Sequence, residues 1–269
     1  MRRLALAAAL GLLASTALAH ETWLRASAPA QVGQPLALGL TSGADFPKPD
    51  AGPKPDRIDR LSLAIDGQVQ PIEVTGPGGG ELRLSFTPQR AGLAVVAVSL
   101  KPRPITLDPA EVPEYLAEAD PGPEVISAWA MLKPKGDWRE VYVKNAKLLV
   151  CVAPCEGSRA AMAPSGQDLE FVALEPGPSP RRLNLLQGGQ PAVNRTVWLH
   201  QPGAAPRKLT TSPGGEIVLP AGLTGEVMLS SIWLRPPVSM MMSGPGGYKP
   251  GDEGVFASDF ASIVFQAGS

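Results

Sequence analysis

The sequence predicts a mainly β protein: two immunoglobulin-like antiparallel β-sandwich lobes with a short helical insertion between them. Three observations carry this expectation. Glycine (29) and proline (30) are frequent enough to break the 269-residue chain every few positions. Hydrophobic residues still reach 44 %, enough for a sizeable core. The apolar residues also fall in short runs of strand length, many of them alternating, bounded by Gly, Pro and Asp.

The chain opens with a segment that reads as a secretory signal rather than as part of the fold. Arg2 and Arg3 are followed by "LALAAALGLLASTAL" and by the small-x-small box Ala17-Leu18-Ala19. Basic start, apolar stretch and small-residue box are the signature of a cleavable export signal. Cleavage after Ala19 makes His20 the first residue of a periplasmic protein. No later run is long and apolar enough to predict a membrane span. Loss of residues 1–19 removes two arginines and no acid, leaving 22 basic against 25 acidic residues. That balance argues against nucleic-acid partners, which need a concentrated positive field.

Residues 20–160 are expected to form the first lobe. Trp23 and Leu24 begin a buried strand, and "QPLALGLTSG", "RIDRLSLAIDG", "GELRLSFTPQ" and "GLAVVAVSLKP" supply further strands. "DFPKPDAGPKPD", residues 45–56, has four prolines and no helical period, so an exposed loop is predicted there. The Gly-rich "GPGGGE" reads as a turn. The helical insertion falls at about 108–133. Asp108 is placed to cap a helix over 109–119, "DPGP" breaks it, and a second helix covers 123–132. "WREVYVKNAKLLVCVAP" returns to strand. The second lobe, 161–269, contains "DLEFVALEPG", "RRLNLLQGGQPAVNRTVWLHQPG", "RKLTTSPGGEIVLPAG", "TGEVMLSSIWLRP" and "SDFASIVFQAG", with a long Gly/Pro loop before the last.

The cysteines, Cys151 and Cys155, are the only two in the chain. In an oxidising compartment a disulfide between them is expected. Closing so short a loop contributes about 2 kcal/mol on chain-entropy grounds. A thiolate pair for a soft metal is the alternative.

Catalytic patterns are absent from the sequence: there is no HExxH, no nucleophile elbow and no phosphate loop. The function expected is therefore binding rather than catalysis. Its focus is His20, whose α-amine and ring would together chelate a metal ion. Both nitrogens lose their protons near neutral pH, with ordinary pKa values of about 8 and about 6.5. His200 ends the strand "RTVWLHQ" and is the second candidate ligand. Amine and imidazole nitrogens suit divalent copper or nickel, and the thioethers of Met240, Met241 and Met242 would favour cuprous ion. Each residue has a structural alternative: a frayed terminus, a strand-end histidine bonded to backbone, an apolar patch. Of the five tryptophans, Trp23, Trp129, Trp198 and Trp233 lie in apolar runs and are expected in the core. Trp138, in "KGDWRE", is expected to be exposed. A copper oxidase built on the N-terminal histidine would need such an exposed aromatic.

The start "AHETWL", "GQPLALGLTSGADFP", "AGLAVVAVSLKPRPITLDPAEVPEYL", "REVYVKNAKLLV" and the closing "SDFASIVF" resemble one bacterial periplasmic family of unknown function, often labelled the periplasmic component of nickel/cobalt uptake systems. The resemblance spans nearly the whole mature chain. It implies two β-rich lobes, a helical insertion, and a role in handling nickel or cobalt beside a membrane transporter component. The family's start histidine and following aromatic correspond to His20 and Trp23. Its Tyr-x-x-x-Ala-Lys pattern corresponds to Tyr142, Ala146 and Lys147, and its terminal pattern to Ser258, Ala261 and Phe265. The family's His-Met pair before the last strand is missing: this chain has "SSIWLRPP" there. A non-enzymatic interaction module of the envelope is the alternative function.

Overall fold

The computed structural model describes residues 21–237 and 254–268. The N-terminal third runs β1 (Glu21–Ala26), β2 (Leu36–Gly43), β3 (Ile58–Ile65), β4 (Gln68–Val69), β5 (Glu73–Gly78), β6 (Glu81–Phe86), β7 (Gly92–Leu100) and β8 (Arg103–Leu107). Two helices follow, α1 (Val112–Ala119) and α2 (Pro123–Leu132), and then the long β9 (Trp138–Val152). The last third holds β10 (Leu169–Ala173), β11 (Arg182–Gln187), β12 (Gln190–Pro191), β13 (Thr196–His200), β14 (Arg207–Thr210) and β15 (Glu216–Val218). It closes with β16 (Gly225–Arg235) and β17 (Val255–Ala267). The protein is a mainly β sandwich, as its composition predicts.

The layers do not follow chain order. One nine-stranded sheet, in the order β14-β13-β16-β17-β9-β7-β3-β4 with β8 also on β9, takes strands from both sides of residue 160. The join is the parallel pairing of β17 with β9, which aligns Val255 with Arg139 and Val264 with Leu148. Two smaller sheets cover this central one. The sheet β1-β2-β6-β5 packs on one face, where Leu24, Leu40, Leu84, Val96, Leu148 and Val264 meet. The sheet of β10, β11, β12 and β15 packs on the other, through Phe171, Leu185, Leu149, Leu229, Ile263 and Phe265. Leu148 and Leu149 point into different cores because successive strand residues face opposite sides.

Both helices stand on the same face as the first small sheet, further along β9 and β17. Val112, Tyr115, Val125 and Trp129 pack there against Trp138, Ile232, Phe256 and Phe260. Asp108 does not cap α1 as expected: the N-cap is Glu111, without a side-chain cap, and Asp108 instead closes the turn before the helix, its Oδ1 accepting from the Ala110 amide while Glu111 reaches back to the Asp108 amide. The helix begins at Val112 rather than at 109. It stops at Asp120, which takes a left-handed conformation (φ 44°).

Three further expectations need correction. Trp138 is fully buried, stacked on Phe256 at 3.7 Å and bonded through Nε1 to Glu140. Asp137 before it and Arg139 after it are exposed, while the ring faces the other way and packs against Trp129 of α2. Trp198 and Trp233 are only half-buried. Trp198 spans to the end of α1, donating to the Glu118 carbonyl, and Trp233 is covered on one side by the Arg235 guanidinium. The loop 45–56 is irregular apart from a short 3₁₀ turn, but Phe46 dips from it to pack edge-on against Trp23. Gly52 lets that loop lie against β6, since a Cβ there would fall 2.3 Å from the Glu81–Leu82 backbone.

Cys151 and Cys155 are at bonding distance, 1.93 Å, across the turn that ends β9. Among the described residues no helix is long and apolar enough to cross a membrane.

Candidate functional site at the start of the first strand

On one face of the central sheet, the apolar core under the first small sheet and the apolar core under the helices do not merge. A polar seam separates them. Ser230 of β16 pairs with Ser262 of β17, and one row on, Phe260 pairs with Lys144 of β9. Paired residues point to the same side of a sheet, so Ser230, Ser262 and Lys144 all face the seam. From opposite sides it is closed by β1, which brings in Glu21, and by α1, which brings Glu118.

The start of β1 is fixed here by two hydroxyls from the central sheet. Ser262 donates to the Thr22 carbonyl, and Ser230 Oγ donates to Glu21 Oε1 at 2.7 Å. His200, at the end of β13, places Nε2 3.0 Å from the same Ser230 oxygen. The hydroxyl has one proton to give. With the Glu21 carboxylate taking it, Ser230 accepts from His200, so Nε2 carries the imidazole proton and Nδ1 carries the lone pair. A relay thus runs from Glu21 through Ser230 to His200, with carboxylate and ring within about 6 Å of one another by hydrogen-bond lengths.

The electrostatics follow from burial. Loss of solvent pushes the His200 ring down to about 4, so it is neutral at physiological pH. Burial, chiefly, pushes Glu21 up to about 7; the Glu118 charge adds to the rise, while the Ser230 bond and Lys144 oppose it. Lys144 is brought down to about 8, first by burial and then by Arg57 and Arg103, against the pull of Glu21 and Glu118. Among the described residues Glu21 Oε2 has no hydrogen-bond partner, although it is buried. A buried carboxylate oxygen with nothing to accept from is costly, and a cation would satisfy it.

The structure thus gives a place to one of the sequence-derived ligands. His200 lies in the seam, and its partner is the Ser230 side chain rather than a backbone group. His20, Met240, Met241 and Met242 lie outside the described residues. Among the described residues no three of His, Cys, Asp and Glu converge closely enough to hold a metal ion. Cys151 and Cys155 are tied to each other at the far end of β9. The residues that sequence reasoning missed are Glu21, Ser230, Glu118 and Lys144. A signal for one of them was present: "SS" interrupts the apolar strand "EVMLSSIWL", and polar residues inside a buried strand need partners.

Two other buried polar groups are closed and saturated. Glu140 accepts from Tyr115 (2.9 Å), Trp138 (2.8 Å) and Ser258 beneath the helices. Lys147, one of the residues in the family pattern, pairs with Glu170 at 2.8 Å and also donates to the Phe171 carbonyl. Glu170 in turn accepts from the amides of Ser165 and Gly166. With their charges paired or hydrogen-bonded, these groups join layers together.

No family model, curated protein or solved structure matches the chain.

Proposed function

We propose that this chain is a periplasmic binding protein for a divalent transition metal, nickel, cobalt or copper, which it holds and passes on. His20 and His200 are the principal ligands in this reading, with Met240, Met241 and Met242 as thioether ligands for a softer ion. The observation that carries it is the relay from Glu21 through Ser230 to His200. It ties the residue bonded directly to His20 to the one other histidine of the chain. In this reading His20 and His200 serve one ion.

The chemistry of the donors fits the ion. A neutral imidazole with its proton held on Nε2 offers Nδ1 without a protonation cost. A carboxylate acting through a hydroxyl on the far nitrogen is the kind of outer support that orients metal-binding histidines. The orphaned Oε2 of Glu21 adds negative charge where a cation would sit. Export and cleavage after Ala19 belong to the same reading, because only a cleaved chain carries an α-amine on His20. The resemblance to the nickel/cobalt-labelled family points the same way, with a membrane transporter component as the recipient.

The test is a titration of nickel, cobalt, copper and zinc into protein that begins at His20 and into protein with one extra residue before it. The expected result is at least a tenfold loss of affinity in the extended chain and a similar loss in His200→Ala. Glu21→Gln is expected to weaken binding by about 10- to 100-fold, the usual range for outer-shell partners. Weak binding that ignores all three changes would remove the metal reading and leave the immunoglobulin-like interaction module.

A further inference from the structure

Beside the seam lies a cleft of about 560 Å³ lined in part by Lys144 and by three other cationic side chains. Lys54 and Arg57 reach it from the 3₁₀ turn Pro55–Arg57 and its N-cap, Arg103 from the start of β8, and Lys144 from β9. Within the lining one carboxylate, Asp56, stands against these four cations, and Lys144 is also drawn by Glu21 and Glu118. The arrangement is built rather than accidental. Arg103 is the register partner of Tyr142 on β9, and Arg57 donates to the Pro102 carbonyl, which ties the turn to the β7–β8 connection. Lys101 makes the reciprocal tie, donating to the Asp56 carbonyl. The turn and the strand that carry the two arginines are therefore held across the cleft from each other.

Lys54, Arg57 and Arg103, with Asp56 as the one carboxylate beside them in the lining, concentrate positive potential in one concave space. An anion would be drawn to that potential. Guanidinium groups suit planar oxyanions, which they grip with two parallel hydrogen bonds. The cleft is larger than a bare inorganic ion requires and falls within the usual size for small-molecule sites. Leu100, Pro53 and the Tyr142 ring give it an apolar wall for a carbon skeleton. We propose that this cleft binds a small organic anion bearing two or more carboxylate groups.

Among the described residues the cleft lining includes Lys144 but not His200, and none of its cations is a ligand in the metal reading. The charged groups that face Lys144 are Glu21 of β1, Arg57 of the turn, Arg103 of β8 and Glu118 of α1. A bound carboxylate would add a negative charge on the arginine side of that set.

The experiment is calorimetric titration of the metal-free mature chain with citrate, succinate, acetate and inorganic phosphate. Citrate should bind at one saturable site, succinate more weakly, and acetate and phosphate at least tenfold more weakly than citrate. Arg57→Ala and Arg103→Ala should each lower citrate affinity at least tenfold, and added salt should lower it further. Arg103 is exposed, so its replacement leaves the fold intact even if the Arg57 variant does not fold. His200→Ala should leave citrate binding unchanged, which separates this site from the metal site. Absence of saturable citrate binding, indifference to the Arg103 change, or phosphate binding as tightly as citrate would overturn the proposal.

Discussion

His200 illustrates how much a single side chain owes to its surroundings. In water its ring would titrate near 6.5; buried at the end of β13 it is held down to about 4. The fold favours the neutral ring, so between pH 4 and 6.5 the unfolded chain binds more protons than the folded one. Stability from this residue is complete above 6.5 and is lost as pH falls toward 4. A drop from pH 8 to pH 5 should therefore cost about 2 kcal/mol through His200. Urea unfolding of the wild type and His200→Gln at the two pH values checks this. The wild type should lose more stability on acidification than the variant, by roughly that amount, and parallel losses would contradict the assignment. The histidine was visible in the sequence as a strand-end residue. Its neutrality and its link to Glu21 were not, because the first depends on burial by the assembled layers and the second on Ser230, which is thirty positions away in the chain.

At the level of elements, β9 holds most of the molecule together. Its even-numbered residues serve the cores under the first small sheet and the helices, and its odd-numbered residues serve the core on the other face. Lys147 lies on the second side, buried, with Glu170 of β10 as its partner. Removing one member of such a pair leaves an unpaired buried charge, at a cost of about 3–5 kcal/mol, whereas replacing both with apolar residues can be nearly neutral. Thermal melts of Lys147→Met, Glu170→Leu and the double variant should show the double variant more stable than Lys147→Met alone. Additive losses would mean that the pair is not coupled. The sequence marked β9 as strand from end to end, and "REVYVKNAKLLV" stood out as a unit. That its lysine is structural emerges only when β10 is laid across it. The helices were also legible, since the prolines and "DPGP" are local signals that act within a few residues.

At the level of the whole molecule, the decisive feature is the parallel contact of β17 with β9. It makes one sheet out of the two halves of the chain, so the division expected at residue 160 falls between strands that the central sheet joins. Without β17, β9 would present an open edge over ten paired positions, and unpaired edges aggregate or remain unfolded. A fragment of residues 20–160 should therefore fail to give a dispersed NMR spectrum by itself. A well-folded monomeric fragment would show that the joined sheet is dispensable. The strands themselves were determined by the sequence, because alternation, apolar runs and turn residues are local and each strand's period is written in its own side chains. So were the turns and the candidate disulfide at a spacing of four, whereas the cap expected at Asp108 was not. Only the tertiary structure decided which strands are neighbours, that Trp138 lies beneath a helix, and that Glu21, Ser230, His200, Glu118 and Lys144 share one seam. The physical reason is range. Secondary structure follows from contacts between near neighbours in the chain, whereas the seam is made by five elements whose proximity depends on how three layers bury their apolar faces at once.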